Sequence, residues 1–84
     1  MNTTHLNELL DHLLAMKDRD SLDEALRDLL TPAELTEICN RLQILRMLEA
    51  GVPQREIARQ LGVGIATVTR GARALKIKQQ KRPT

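Results

Sequence analysis

Not one Phe, Trp or Tyr occurs among the 84 residues. A core without rings must be assembled from Leu, Ile, Val, Ala and Met, which bury less area per residue. A chain of this length also sits below the size at which one core is comfortably stable alone, so a second copy is expected to complete it. The single cysteine, Cys39, excludes an internal disulfide and is expected as a small core residue. No stretch approaches the ~20 apolar residues that a membrane-spanning helix needs. Met1 is followed by Asn2, Thr3, Thr4 and His5 rather than by the basic cap and apolar run of a secretory signal. A cytoplasmic protein without membrane association is expected.

Catalysis and metal binding are equally short of material. His5 and His12 could share a helix face, yet nothing else converges on them, so both are expected at the surface and no metal site is expected. Neither a serine–histidine pairing nor a phosphate-binding glycine loop is present, and an enzyme is not expected. Strand alternation, internal repeats and low-complexity blocks are absent as well, which leaves an all-α chain of about five helices in a single domain over residues 1–84.

What is present begins with charge. Residues 1–38 hold nine acidic and three basic side chains, net −6, whereas residues 39–84 hold two and ten, net +8. A basic half beside an acidic half suits a polyanion binder that meets phosphate with one face. Lys76, Lys78, Lys81 and Arg82 read equally well as a solvated tail; Arg55, Arg59, Arg70 and Arg73 do not.

Leu6, Leu9, Leu10, Leu13 and Leu14 recur at helical intervals over residues 4–17, more leucine than so small a chain can bury, and either core packing or a seam against a partner helix accounts for them. Ser21 and Glu24 have capping-box spacing and open a helix to about Leu30 with Leu22, Ala25, Leu26 and Leu29 inward. Thr31-Pro32-Ala33-Glu34 repeats that signature with proline at the first helical position. A long central helix then runs to about Ala50, its stripe made of Leu35, Ile38, Cys39, Leu42, Leu45 and Leu48 and widened by Ile44 and Met47. Gly51 ends it and Pro53 opens the next element.

The stretch Gln54 to Gly71, QREIARQLGVGIATVTRG, organises the rest. Ile57, Ala58 and Leu61 form one helix face, Gly62 follows at the place of a left-handed helix end, and Val63 turns back inward. Gly64 can cap a second helix from Ile65 with Val68, Ala72 and Leu75 inward. Its outer side carries Ala66, Thr67, Thr69, Arg70 and Arg73, small, hydroxyl and guanidinium groups suited to base edges and phosphates. This is a helix-turn-helix from about 53 to 75, although glycine-linked helical hairpins also occur in proteins that never touch DNA. A flexible tail is expected over 78–84.

With the helices placed, the run from Leu30 to Lys76 resembles the bacterial tryptophan-operon repressor (Trp repressor) family through Leu30-Thr31-Pro32, Arg41, Gln54-Arg55-Glu56, Leu61-Gly62 and GIATVTRG from Gly64 to Gly71. The resemblance implies an intertwined homodimer and a corepressor, L-tryptophan, as small-molecule amino-acid ligand. It implies Arg41 and Arg70 on either side of the indole, one of them pairing with the carboxylate, as a planar guanidinium can. Leu30 and Thr31 would offer carbonyls to the ammonium, Gly71 would leave room for the ring, and Ala74 stands where the family has a serine that helps hold the amino group. Carried over by position, Gln54, Arg55, Ile65, Ala66, Thr67 and Thr69 would contact a palindromic double-stranded operator, and Gly64, Arg73 and Lys76 would lie near phosphates.

Three departures accompany that picture. Ala74 lacks the hydroxyl. Asp28 replaces an apolar pocket residue, and either pairs with the ammonium or repels the carboxylate. The Gly51-Val52-Pro53 turn is one residue shorter and the chain ends at Thr84, before the family's last helix, so a smaller shared core and a weaker dimer are expected. A ligand-independent regulator of the same fold is thus an alternative to the ligand-responsive repressor. The DNA-targeting module of a transposase would need an acidic triad for which the chain has no room, and a protein-interaction module would leave the TRG segment unexplained.

Overall fold

Five helices follow from these signals in the computed structural model, which describes residues 2–81, the side chains of Gln80 and Lys81 excepted. They are α1 (Thr3–Leu14), α2 (Arg19–Leu29), α3 (Pro32–Glu49), α4 (Gln54–Leu61) and α5 (Ile65–Lys81). The chain divides into two compact units, Met1–Leu35 and Thr36–Thr84, where the sequence suggests a single domain.

In the first unit, Asn2 caps α1 by accepting from the Thr4 and His5 amides. The start of α2 differs from expectation: the Ser21/Glu24 box is not used. Asp18 is the cap, its carboxylate accepting from the Ser21 amide at 2.7 Å and from the Ser21 hydroxyl at 2.9 Å. A full negative charge at a helix N-terminus satisfies the exposed amides better than a neutral hydroxyl, so α2 begins earlier. Ala25 is buried, and Leu13, Met16 and Leu26 are half-buried. Leu22 and Leu29, expected inward, are exposed at 38% and 52%.

The capping box expected at α3 is formed. The Thr31 amide donates to Glu34 Oε1 at 2.9 Å and the Glu34 amide donates to Thr31 Oγ1 at 3.1 Å. At the other end the Val52 amide reaches the Met47 carbonyl and the Gly51 amide the Leu48 carbonyl, both at 3.0 Å. This closing pattern brings Val52 back against Met47 and turns the chain sharply toward α4.

The second unit is built on Ile44 of α3, Ile57 of α4 and Val68 of α5, each at most 1% exposed, with Met47, Leu48, Val52, Ala58, Leu61 and Val63 packed around them. Burying three such side chains stabilises the unit by roughly 1.5–3 kcal/mol each. Gly62 ends α4 at φ 66°, and the Val63 amide then donates to the Ala58 carbonyl at 3.1 Å, which returns Val63 to the core. Gly64 accepts from the Thr67 and Val68 amides, so α5 starts where expected.

Two further expectations are corrected. On α3 the buried side chain is Ile44, not the Leu35-to-Leu48 stripe; Ile38 and Leu42 are nearly half exposed and Cys39 is exposed rather than internal. The helix is apolar on most of its circumference, and the helix-turn-helix covers only the Ile44, Met47 and Leu48 side. The tail expected from 78 is helical as far as Lys81, since Ala74 to Lys81 contains only good helix formers or isoleucine and no breaker. Residues 82–84 lie outside the described residues.

Candidate nucleic-acid interface and ligand pocket

Helix α4 presents its first turn to solvent because Ile57 and Leu61 commit the opposite face to the core. Gln54 and Arg55 are exposed there. Glu56 binds Arg59 through both carboxylate oxygens and accepts from Gln60 Nε2 at 2.9 Å. Those bonds from Arg59, then Gln60, draw the Glu56 carboxyl down to about 2 and raise Arg59 above its ordinary value. Arg59 is therefore neutralised locally, whereas Arg55 has no carboxylate within ion-pair distance among the described residues.

On α5, Gly64, Ile65 and Ala66 are exposed, Ile65 by 48%. An isoleucine left in water at a helix start offers an apolar edge of the kind thymine methyl groups accept. Thr69 is half-buried, and its hydroxyl lies 3.0 Å from both Gln54 Oε1 and the Ile65 carbonyl. It ties the start of α4 to α5, so Gln54 and Thr69 act as one polar unit. Arg73 and Lys76 are exposed further along α5.

Between α3 and α5 lies a partly open cavity of about 380 Å³. Glu37, Arg41, Ile44 and Leu45 line it from α3, and Thr67, Arg70, Gly71 and Ala74 from α5. Both sets follow helical three- and four-residue spacing, so each helix turns one face to the cavity. The apolar floor is Ile44 and Leu45; the walls carry Arg41 and Arg70. Arg41 Nη2 is 2.8 Å from Glu37 Oε1, and Arg70 Nη2 is 3.5 Å from the Thr67 hydroxyl, a long contact. A Cβ on Gly71 would sit 2.8 Å from Ile44 Cγ2. The bare Cα at that position lets α5 lie close against α3.

Of the residues singled out in the sequence, the cavity brings together Arg41, Arg70, Gly71 and Ala74, along with Thr67, which the resemblance assigned to DNA. Leu30 and Thr31 belong to the first unit, where the Thr31 carbonyl accepts from the Leu35 amide at 2.9 Å. Asp28 lines a different and smaller cleft, with His12, Met16 and Glu24. Glu37 was missed, although its position one turn before Arg41 is a recognisable i,i+4 signal. No group of three or more His, Cys, Asp or Glu side chains among the described residues could hold a metal ion, and no helix is long and apolar enough to cross a membrane.

A three-helix core whose last two helices are joined by a glycine-ended turn defines a helix-turn-helix protein, the class that reads DNA with its second helix. The family model described as Trp repressor protein matches residues 4–82. The chain is 40% identical over 75 residues to a Trp operon repressor homolog of Vibrio vulnificus strain YJ016, covering 88% of this chain and 71% of that one. It is 39% identical over 77 residues to a Trp operon repressor homolog of Actinobacillus succinogenes, covering 90% and 76%. No solved structure matches significantly. The chain belongs to the Trp repressor family, a family of DNA-binding transcriptional repressors.

Proposed function

We propose that the protein is a tryptophan-responsive repressor that binds a palindromic operator as a homodimer. The observation that carries this reading is the cavity directly beneath α5, near the small end of ligand-pocket volumes, with a guanidinium on each wall and an aliphatic floor. An indole ring fits between two planar guanidinium groups, and Arg70 can hold a carboxylate in a fork. Thr67 and Arg70 belong to both the cavity and the reading helix. A ligand that draws Arg70 inward therefore changes the tilt of the surface formed by Gln54, Arg55, Ile65, Ala66, Thr67 and Thr69, with Gly64, Arg73 and Lys76 toward phosphates. Paired reading heads then reach successive major grooves about 34 Å apart, the spacing known for helix-turn-helix dimers, Trp repressors among them.

The absence of aromatic residues makes the test direct: the protein is titrated into free L-tryptophan while indole fluorescence and anisotropy are followed. Saturable binding, stoichiometric with subunits and lost in Arg70→Leu, is expected. No binding at millimolar protein would remove tryptophan from the reading. A repressor that responds to another ligand, or a ligand-independent regulator, then remains, the latter favoured by Ala74, which supplies no hydroxyl to the cavity.

A further inference from the structure

We propose that Glu37 is the specificity-determining residue of the α3–α5 cavity, its carboxylate receiving the ammonium group of an α-amino acid whose carboxylate pairs with Arg70. This deepens the ligand-responsive reading and rests on it.

The charges in the cavity are arranged asymmetrically. The α3 wall is internally compensated, because Glu37 Oε1 accepts from Arg41 Nη2 at 2.8 Å. The α5 wall is not: Arg70 touches only the Thr67 hydroxyl, at 3.5 Å, and no carboxylate is within ion-pair distance among the described residues. A ligand carboxylate is therefore drawn to Arg70 rather than to Arg41, whose charge is already answered. An α-amino group whose carboxylate is held by Arg70 can turn toward Glu37, which lines the same cavity. There Glu37 Oε2 has no hydrogen-bond partner among the described residues, while Oε1 keeps Arg41 in place. One carboxylate thus holds the Arg41 guanidinium as a stacking face and accepts the ammonium on its second oxygen, without breaking the existing pair.

Ala74 brings no hydroxyl to the cavity, and among the described residues Glu37 is the one carboxylate that lines it. The Glu37 and Arg41 side chains are 60% and 67% exposed, so the second Glu37 oxygen is open to a ligand.

The probes are L-tryptophan and 3-(indol-3-yl)propionate, the same skeleton without the amino group, each titrated with wild-type protein and with Glu37→Gln. Wild type is expected to prefer tryptophan, and the isosteric amide to lose about tenfold in tryptophan affinity while binding indolepropionate as before or more tightly. An unchanged ratio of the two dissociation constants in Glu37→Gln, or a wild-type preference for indolepropionate, overturns the role of Glu37 and leaves the tryptophan pocket standing. Equal loss of both ligands in a folded Glu37→Gln, checked by circular dichroism, also overturns it, since Glu37 would then serve only to position Arg41. Failure of both ligands to bind wild type removes this proposal and the tryptophan reading together.

Discussion

Helix propensity and packing pull Gly71 in opposite directions. Alanine inside a helix is favoured over glycine by about 1 kcal/mol. The added methyl would, however, lie 2.8 Å from Cγ2 of Ile44, a stiff β-branched side chain that is 1% exposed. Overpacking of that kind costs typically 1–3 kcal/mol. Gly71→Ala is therefore expected to lower the thermal midpoint and to weaken ligand binding by shifting α5, and a raised midpoint would contradict the close α3–α5 approach. The sequence marks Gly71 as part of TRG but assigns its openness to the ligand; that its first neighbour is Ile44 depends on how two distant helices meet. Glu37 is the converse case: its spacing from Arg41 is visible in the sequence, but the role proposed for it depends on the wall opposite.

At the scale of single elements, caps and turns dominate, and they depend on carboxylates. Asp18 and Glu34 are held below their ordinary values, chiefly by bonds from the Ser21 and Thr31 amides, and Glu56 is drawn to about 2 by Arg59. A carboxyl depressed in the folded state stabilises it fully above its ordinary pKa, and that contribution disappears as pH falls through the depressed value. Helicity followed by circular dichroism is thus expected to hold from neutral pH to about the ordinary value of 4.5 and to decline between there and about 2. Glu56→Gln should flatten the lower part of that decline; an identical acid profile would deny Glu56 its share. Thr31→Ala removes the hydroxyl half of the α3 capping box and is expected to cost about 1 kcal/mol in denaturant unfolding. The Thr31/Glu34 cap was legible because it lies within four residues. The α2 start was not, because two caps compete there and the charged one wins.

Over the whole molecule the notable feature is uncovered leucine and isoleucine. Leu9, Leu10 and Leu14 on α1, Leu29 on α2, and Ile38 and Leu42 on α3 are between 40% and 82% exposed in the single chain. Only Ala25, Ile44, Ile57 and Val68 are buried hydrophobic residues among those described, too little for a chain this size to rely on. The proposed homodimer gives these side chains a common place to go. Sedimentation should then show a dimer at micromolar concentration, with a thermal midpoint that rises with concentration. Leu42→Glu is expected to shift the chain toward monomer and weaken operator binding, while a dimer unaffected by Leu42→Glu would move the interface elsewhere. Because the proposed DNA surface lies in the basic half, operator affinity should also fall steeply with added salt.

Helix number, order and most boundaries, together with the helix-turn-helix and its Gly62 turn, could be read from the chain alone. They depend on interactions spanning at most a few residues: apolar periodicity, cap hydrogen bonds, and the ease with which glycine takes a positive φ. The GIATVTRG segment likewise revealed the family, since its residues are consecutive. Packing settled what periodicity left open. An α3 that is apolar on most of its circumference does not reveal which side faces inward, and only the arrival of α4 and α5 selects Ile44 over Leu42 and Cys39. The cavity was legible in halves, Arg41 on one helix and Arg70 on another. Its depth, its floor and the carboxylate of Glu37 within it depend on the distance between α3 and α5, a long-range quantity set by the missing side chain of Gly71.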